Sequence, residues 1–278
     1  MEEAIQGTVY AAQNGSKEAL ETVIGYAQGY VYNLALRMLQ RPADAEDATQ
    51  EILIKLITHL GQFRGDSAFS TWMYRIATNT LLNIRQRDTE RSRLSFDAMS
   101  LRLEESLARY DTSPEEAYER AELVQEVKRH CTLGMLMCLN QDDRLALILS
   151  EVLEIDSVEA AIIMEVSPAA YRKRLSRARQ TLLAFVSQQC GIVNPENPCR
   201  CHKHVRNKLQ AGLLTPDTLA YAQADDAVSA FNDLRARQPE LDALVRTIAL
   251  LRTHPAYSPS VDYRALLNTV FSASNPDI

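Results

Sequence analysis

The sequence predicts an all-α protein. Only 9 glycines occur in 278 residues, and alternating β-branched runs are scarce, so the punctuation and periodicity of a β protein are missing. Apolar residues recur instead at spacings of three and four, the signature of helices with one buried face. With 46% hydrophobic residues the chain can bury real cores, and its length suggests about two domains.

Between Gly15 and Leu39, the residues Leu20, Val23, Ile24, Ala27, Val31, Leu34 and Leu36 predict one or two amphipathic helices. Pro42 breaks that pattern. Asp44 is expected to cap the next helix, running to about Leu60, with Glu46 and Asp47 near its positive end. Its apolar face is Ile52, Leu53, Leu56, Ile57 and Leu60; its polar face carries Asp44, Asp47, Gln50, Glu51 and Lys55.

Phe63 to Arg87, FRGDSAFSTWMYRIATNTLLNIRQR, holds the single tryptophan of the chain, Trp72. A short polar loop, Gly65 to Ser67, leads into a helix with Trp72, Ile76, Leu81 and Ile84 roughly on one face. Phe69 and Tyr74 stand beside Trp72, and Arg85 and Arg87 make a basic end. Exposed aromatics beside arginines suit unpaired bases, because every base offers a stackable face and a phosphate. The plainer reading is an aromatic core helix with a solvated basic end.

Thr89 to Pro114 loses periodicity and reads as a linker with a short helix around Leu101 to Leu107. Pro114, followed by Glu115 and Glu116, predicts a helix start, with the helix running to about Met137. Asp142 or Asp143 opens a further helix through Leu153. Ser157 caps a short one, Val158 to Met164; Val166 to Pro168 makes a turn; a third helix reaches about Gln188. That third helix carries Arg172, Lys173, Arg174, Arg177 and Arg179, with no acid between Ser167 and Gln189. Helix, short turn and basic helix is the plan of a helix-turn-helix entering a major groove.

From Cys190 to His204 the chain is rich in Pro and Asn and clusters thiols and imidazoles. Cys190, Cys199, Cys201, His202 and His204 are residue types that bind zinc, but one residue between two thiols is shorter than a finger's spacing. Free thiols near solvent, without metal, are expected, with zinc and a thiol redox switch as alternatives. Helical patterns follow near Val205–Leu213, Thr218–Arg237, Leu241–Arg252 and Asp262–Phe271.

Charge narrows the function. The net charge of −6 argues against indiscriminate coating of nucleic acid, yet Arg64 to Arg93 has six bases against three acids, in an otherwise acidic first half. Such islands suit focused contact with phosphate. No stretch approaches the ~20 apolar residues that span a bilayer. The acidic N-terminus lacks a signal peptide's pattern, and five cysteines suit reduced thiols; a cytoplasmic protein is expected. Without a glycine-rich phosphate loop or a Ser/His/Asp pattern, no catalytic centre is expected.

An acid-rich helix, an aromatic-basic segment and a helix-turn-helix, in this order, resemble the bacterial sigma factors of the extracytoplasmic-function (ECF) group over about Gly15 to Val186. DAEDATQEILIKLITHLGQF, Asp44 to Phe63, resembles their core-polymerase-binding helix. Phe63 to Arg87 resembles their segment that melts and reads the minus-ten element, and Val158 to Leu183 their minus-thirty-five reader. Ala169 and Ala170 stand where the family often has glycine and threonine.

The resemblance implies a sigma domain 2 over residues 1–93, a linker over 94–117, a sigma domain 4 over 118–189 and a helical extension over 190–278. Asp44, Asp47, Gln50, Glu51 and Lys55 would bind core polymerase. Arg64, Asp66, Ser67, Phe69, Trp72, Tyr74, Arg75, Asn79, Asn83, Arg85 and Arg87 would meet the minus-ten element. Ser167, Ala170, Tyr171, Arg172, Lys173, Arg174, Arg177 and Arg179 would meet the minus-thirty-five element. The partners implied are core RNA polymerase and promoter DNA, controlled by an anti-sigma factor or by the extension, with no membrane and no cofactor. A stand-alone helix-turn-helix regulator is the alternative, and it has no use for the Phe63–Arg87 block.

Overall fold

A computed structural model describes residues 2–87, 94–109, 121–214 and 243–265. The all-α expectation holds: among the described residues the regular elements are helical, and an isolated bridge joins Cys190 to Cys199. The described elements pack as two units. One comprises Met1–Glu90, Ser157–Pro168 and Ala256–Ile278; the other comprises Arg91–Asp156 and Ala169–Pro255.

In the first unit, α1 (Glu2–Gln13), α2 (Lys17–Leu39), α3 (Pro42–His59) and α4 (Phe69–Arg87) form a bundle. Ser16 caps α2, its hydroxyl accepting from the Ala19 amide at 3.2 Å. The predicted stripe of α2 is its buried face, and Ile52, Leu53 and Leu56 of α3 pack in the same core. A leucine fully removed from water in this way contributes about 1.5–3 kcal/mol.

The start of α3 differs from expectation. Pro42 opens the helix rather than interrupting it, because a first-turn residue needs no amide donor. Asp44 lies inside the first turn, 3.6 Å from Arg41 Nε. A helix of the second half, α8 (Ser157–Ile163), packs against α4 in this unit. The tail segment from Ala256 to Ala265 lies on α2 and α3.

The second unit contains α5 (Phe96–Arg109), α6 (Ala121–Cys138), α7 (Gln141–Leu147) and α9 (Pro168–Gln189). It also holds α10 (Val205–Gln210) and α11 (Ala243–Arg252). The expected helix start at Pro114 lies outside the described residues, as does Thr218–Arg237. Asn140, not Asp142 or Asp143, caps α7, accepting from the Asp143 amide at 2.9 Å. A π turn, Ile148–Val152, continues α7.

Arg144 is 1% exposed. It donates to the carbonyls of Leu136, Met137 and Leu139 at 2.7–3.1 Å. It thereby adds a donor to carbonyls at the end of α6, where intrahelical partners run out. Val205 and Leu214 join Leu123 and Val127 of α6 in a small core, so the first part of the extension is anchored within this unit. The predicted helix at Val205–Leu213 is shorter than expected, ending at Gln210. Asp262–Phe271 shows a 3-10 turn at Tyr263–Ala265 before the described residues end.

Candidate functional site

Helix α3 sets its acids on the face away from the core. Asp47 and Gln50 are exposed and Asp44 half-buried, while Ala45, Ala48, Ile52 and Leu53 are buried. Glu51 and Lys55 of the same stripe are paired: the Lys55 ammonium donates to Glu51 Oε1 at 2.7 Å and to Thr80 Oγ1 at 3.2 Å. Two of the five stripe residues therefore form an i, i+4 ion pair anchored to α4, which leaves the acidic end near the helix N-terminus as the open part.

The loop before α4 is built as expected, but its brace was not foreseen. Arg64 and Asp66 are exposed and Ser67 is half-buried. Gly65 sits at φ +78°, and a Cβ there would lie 2.3 Å from the Tyr10 hydroxyl. Gln13 donates to the carbonyls of Leu60 and Phe63, each at 2.8 Å. Both brace residues belong to α1, which the sequence analysis does not single out. Ile5 and Val9, one helical turn apart and buried, are the signal that marks it.

The aromatics of α4 require a correction. Phe69, Trp72 and Tyr74 were expected to be exposed for base stacking; they are 0%, 8% and 6% exposed. Phe63, Phe69 and Trp72 have ring centroids 5.5–5.9 Å apart, and the Tyr74 ring meets Tyr30 edge-on at 6.4 Å. Burial, with Tyr30 and Tyr26 nearby, pushes the Tyr74 phenol up. All three rings are packed into the core, so the plainer core reading is the one observed.

The exposed edge of α4 is polar. Asn79 and Asn83 are exposed and Arg75 half-buried. Glu165, just past α8, lies 3.8 Å from Arg75 Nε and accepts from Asn79 Nδ2 at 3.4 Å. Thr71 donates to Glu159 of α8 at 2.6 Å. The side chains of Arg85 and Arg87 lie outside the described residues.

Helix α9 divides its bases into two kinds. Arg172 and Lys173 are exposed, as is Ser167 before the helix, and Ala170 is half-buried. Arg174 lies 3.3 Å from Asp142. Arg177 grips Asp143 with two donors at 2.5 and 2.6 Å, and Arg179 donates to Glu151 at 2.6 Å. Asp143 and Glu151 are 2% and 4% exposed. Arg177 and Arg179, read from sequence as phosphate contacts, thus also neutralise buried acids, with side chains 51% and 40% exposed. Tyr171 is corrected too: it is fully buried, sharing a hydrogen bond with Ser150 at 2.6 Å and donating to the Ala146 carbonyl at 2.9 Å.

The cysteines are free and half-buried rather than near solvent. Burial pushes Cys190 and Cys201 up, and Cys199 up to about 12. Cys199 Sγ lies 3.2 Å from His204 Nε2, and His204 Nδ1 lies 2.7 Å from Ser106 Oγ. Among the described residues, no three His, Cys, Asp or Glu side chains are grouped to hold a metal ion. His202 is half-buried. No helix among the described residues is long and apolar enough to cross a membrane.

An open acidic helix face, a braced polar loop before a helix with a polar edge, and a basic helix after a short turn are therefore carried on one chain. Residues 24–91 match the family model of sigma-70 region 2, and residues 129–182 match that of sigma-70 region 4. The RNA polymerase sigma-H factor of Pseudomonas aeruginosa is 33% identical over 185 residues, covering 65% of this chain and 93% of its own. The ECF RNA polymerase sigma-E factor of Escherichia coli K12 is 33% identical over 180 residues, covering 64% and 91%. A solved structure of the sigma factor RpoE with the anti-sigma factor NepR from Bartonella quintana is similar at 18% identity. That similarity covers 60% of this chain and 95% of that one, with a TM-score of 0.42.

These matches define the class: the chain belongs to the sigma factors of RNA polymerase, the subunits that direct promoter-specific initiation. Within that class it belongs to the ECF group. The chain beyond residue 182 lies outside both matched regions.

Proposed function

We propose that α3 binds core RNA polymerase through Asp44, Asp47 and Gln50, with the Glu51–Lys55 pair fixing the edge of that surface. The supporting observation is that the acids project from the solvent face of a helix whose opposite face is core. The loop Arg64–Ser67 and the α4 edge of Arg75, Asn79 and Asn83 would meet the minus-ten element. Asparagines one turn apart reach base edges, and the arginines position the backbone. Arg172 and Lys173, with Arg174, would meet the minus-thirty-five element from the N-terminal half of α9, the part that enters the groove.

On this reading residues 1–93 and 118–189 are the two sigma domains, joined by 94–117. The chain supplies recognition, and the chemistry of RNA synthesis belongs to the core enzyme, with which it acts in the cytoplasm. Regulation falls to an anti-sigma factor or to the extension. Charge reversal at Asp47 and Glu51, followed by co-elution with core polymerase, tests the assignment. Loss of co-elution with unchanged circular dichroism supports it, and retained co-elution overturns it.

A further inference from the structure

We propose that the tail segment Ala256 to Arg264 is an internal ligand of the α2–α3 surface and competes there with core polymerase. This rests on the assignment of core binding to α3. Two tyrosines six residues apart anchor the segment. Tyr257 and Tyr263 are 3% and 2% exposed, whereas Ala256, Ser258, Ser260, Val261, Asp262 and Arg264 are exposed. Buried side chains this sparse are the grip of a bound peptide, not of a folded core.

The contacts reach the N-terminal turns of α3. Glu46 Oε1 accepts from the Ser260 amide at 3.0 Å and from its hydroxyl at 2.5 Å. The Tyr263 hydroxyl donates to the Glu46 carbonyl at 2.9 Å. Burial raises that phenol's pKa, and the charges of Glu46, Tyr32 and Asp47 raise it further. On α2, the Tyr257 amide donates to Asn33 Oδ1 at 2.9 Å, and Asn33 Nδ2 donates to the Tyr257 carbonyl at 2.6 Å. The Arg37 guanidinium lies 5.6 Å from the centre of the Tyr257 ring.

The groups beneath the segment are polar: Gln28, Asn33, Arg37 and Glu46. Water can replace the tail's hydrogen bonds to Gln28, Asn33 and Glu46, so on the polar side of the contact release leaves these groups solvated. Asp47 and Gln50 stay exposed beside the segment, so the partner that must displace it is one that seats on them and extends over Glu46. Its apparent affinity is lowered by the fraction of molecules in which the tail is docked.

The test uses the full chain and titrates core polymerase by fluorescence anisotropy. Tyr257→Ala combined with Ser260→Ala and Tyr263→Ala releases the segment and should tighten core binding about tenfold, since net hydrogen-bond contributions are modest. Tyr263→Phe alone, which keeps the ring, should give a smaller gain in the same direction. A reversible tether, Glu46→Cys with Ser260→Cys, should weaken core binding when oxidised and restore it on reduction. If the release variants and the oxidised tether all bind core as the unaltered chain does, while Asp47→Lys with Glu51→Lys weakens binding, the tail inference is overturned and α3 keeps its assignment. If the α3 variant also binds normally, the assignment itself falls, and the inference with it.

Discussion

Arg177 and Asp143 form a forked ion pair, with Nε donating to Oδ2 at 2.6 Å and a terminal nitrogen to Oδ1 at 2.5 Å. The acid is buried and the base half-exposed. The hydrogen bond and charge of Asp143 hold the Arg177 guanidinium above its ordinary pKa. A base read from sequence as available to DNA is thus committed to α7.

The first prediction separates the two kinds of base on α9. Arg177→Ala should lower thermal stability, because it leaves the buried Asp143 carboxylate without its counter-charge, with Asn140 still donating to it. Arg172→Ala and Lys173→Ala should leave stability unchanged. Each should lower affinity for minus-thirty-five DNA and reduce the salt slope by about 1 if it contacts a phosphate. Calorimetry and binding across a salt series read the two effects separately.

Trp72→Ala should unfold more readily, by about 3–5 kcal/mol, the usual range for removing a large aromatic from a core. Its ring centroid lies 5.5 Å from that of Phe63 and 5.9 Å from that of Phe69. Urea denaturation measures this. A variant with wild-type stability and a defect confined to promoter opening would restore the base-stacking role.

Gly65→Ala should cost about 1–2 kcal/mol for the left-handed backbone alone, at φ +78°. The clash with the Tyr10 hydroxyl adds to it. Tyr10→Phe should recover only the steric part. Unfolding midpoints of the two single variants and the double variant check this.

Acid should weaken the second unit through His130 and His204. Burial comes first among the causes that push each down to about 4, with Lys208 adding to both. The unfolded chain, with histidines near 6.5, binds more protons between these values, so stability rises with pH in that window. It is fully present above about 6.5 and is lost as pH falls towards about 4. His204→Asn should flatten part of that slope, read as the difference between the pH profiles of the two proteins.

Helical periodicity made most of the fold legible, because one buried face per helix repeats visibly along the chain. The α8–α9 boundaries emerge from Val166 and Pro168, where turn chemistry is local, although Ser157, expected as the cap, is itself the first residue of α8, which ends at Ile163. Exposure was less legible. Periodicity places Trp72 and Tyr171 on a face without saying what covers it, and each proves to be core. Ion pairing was illegible, since the partners of Arg177 and Arg179 lie 34 and 28 residues away. The docking of Tyr257 on Asn33, 224 residues apart, has no local signal at all.

As proposed above, this chain confers promoter specificity on core polymerase through α3 and two DNA-reading surfaces. Run-off transcription from a genomic library, with purified core enzyme and the full chain, tests it most directly. Discrete start sites, sharing paired upstream elements, should appear only when the chain is added and vanish with Asp47→Lys and Glu51→Lys. Transcription identical with and without the chain, alongside binding to duplex DNA by the chain alone, would contradict it.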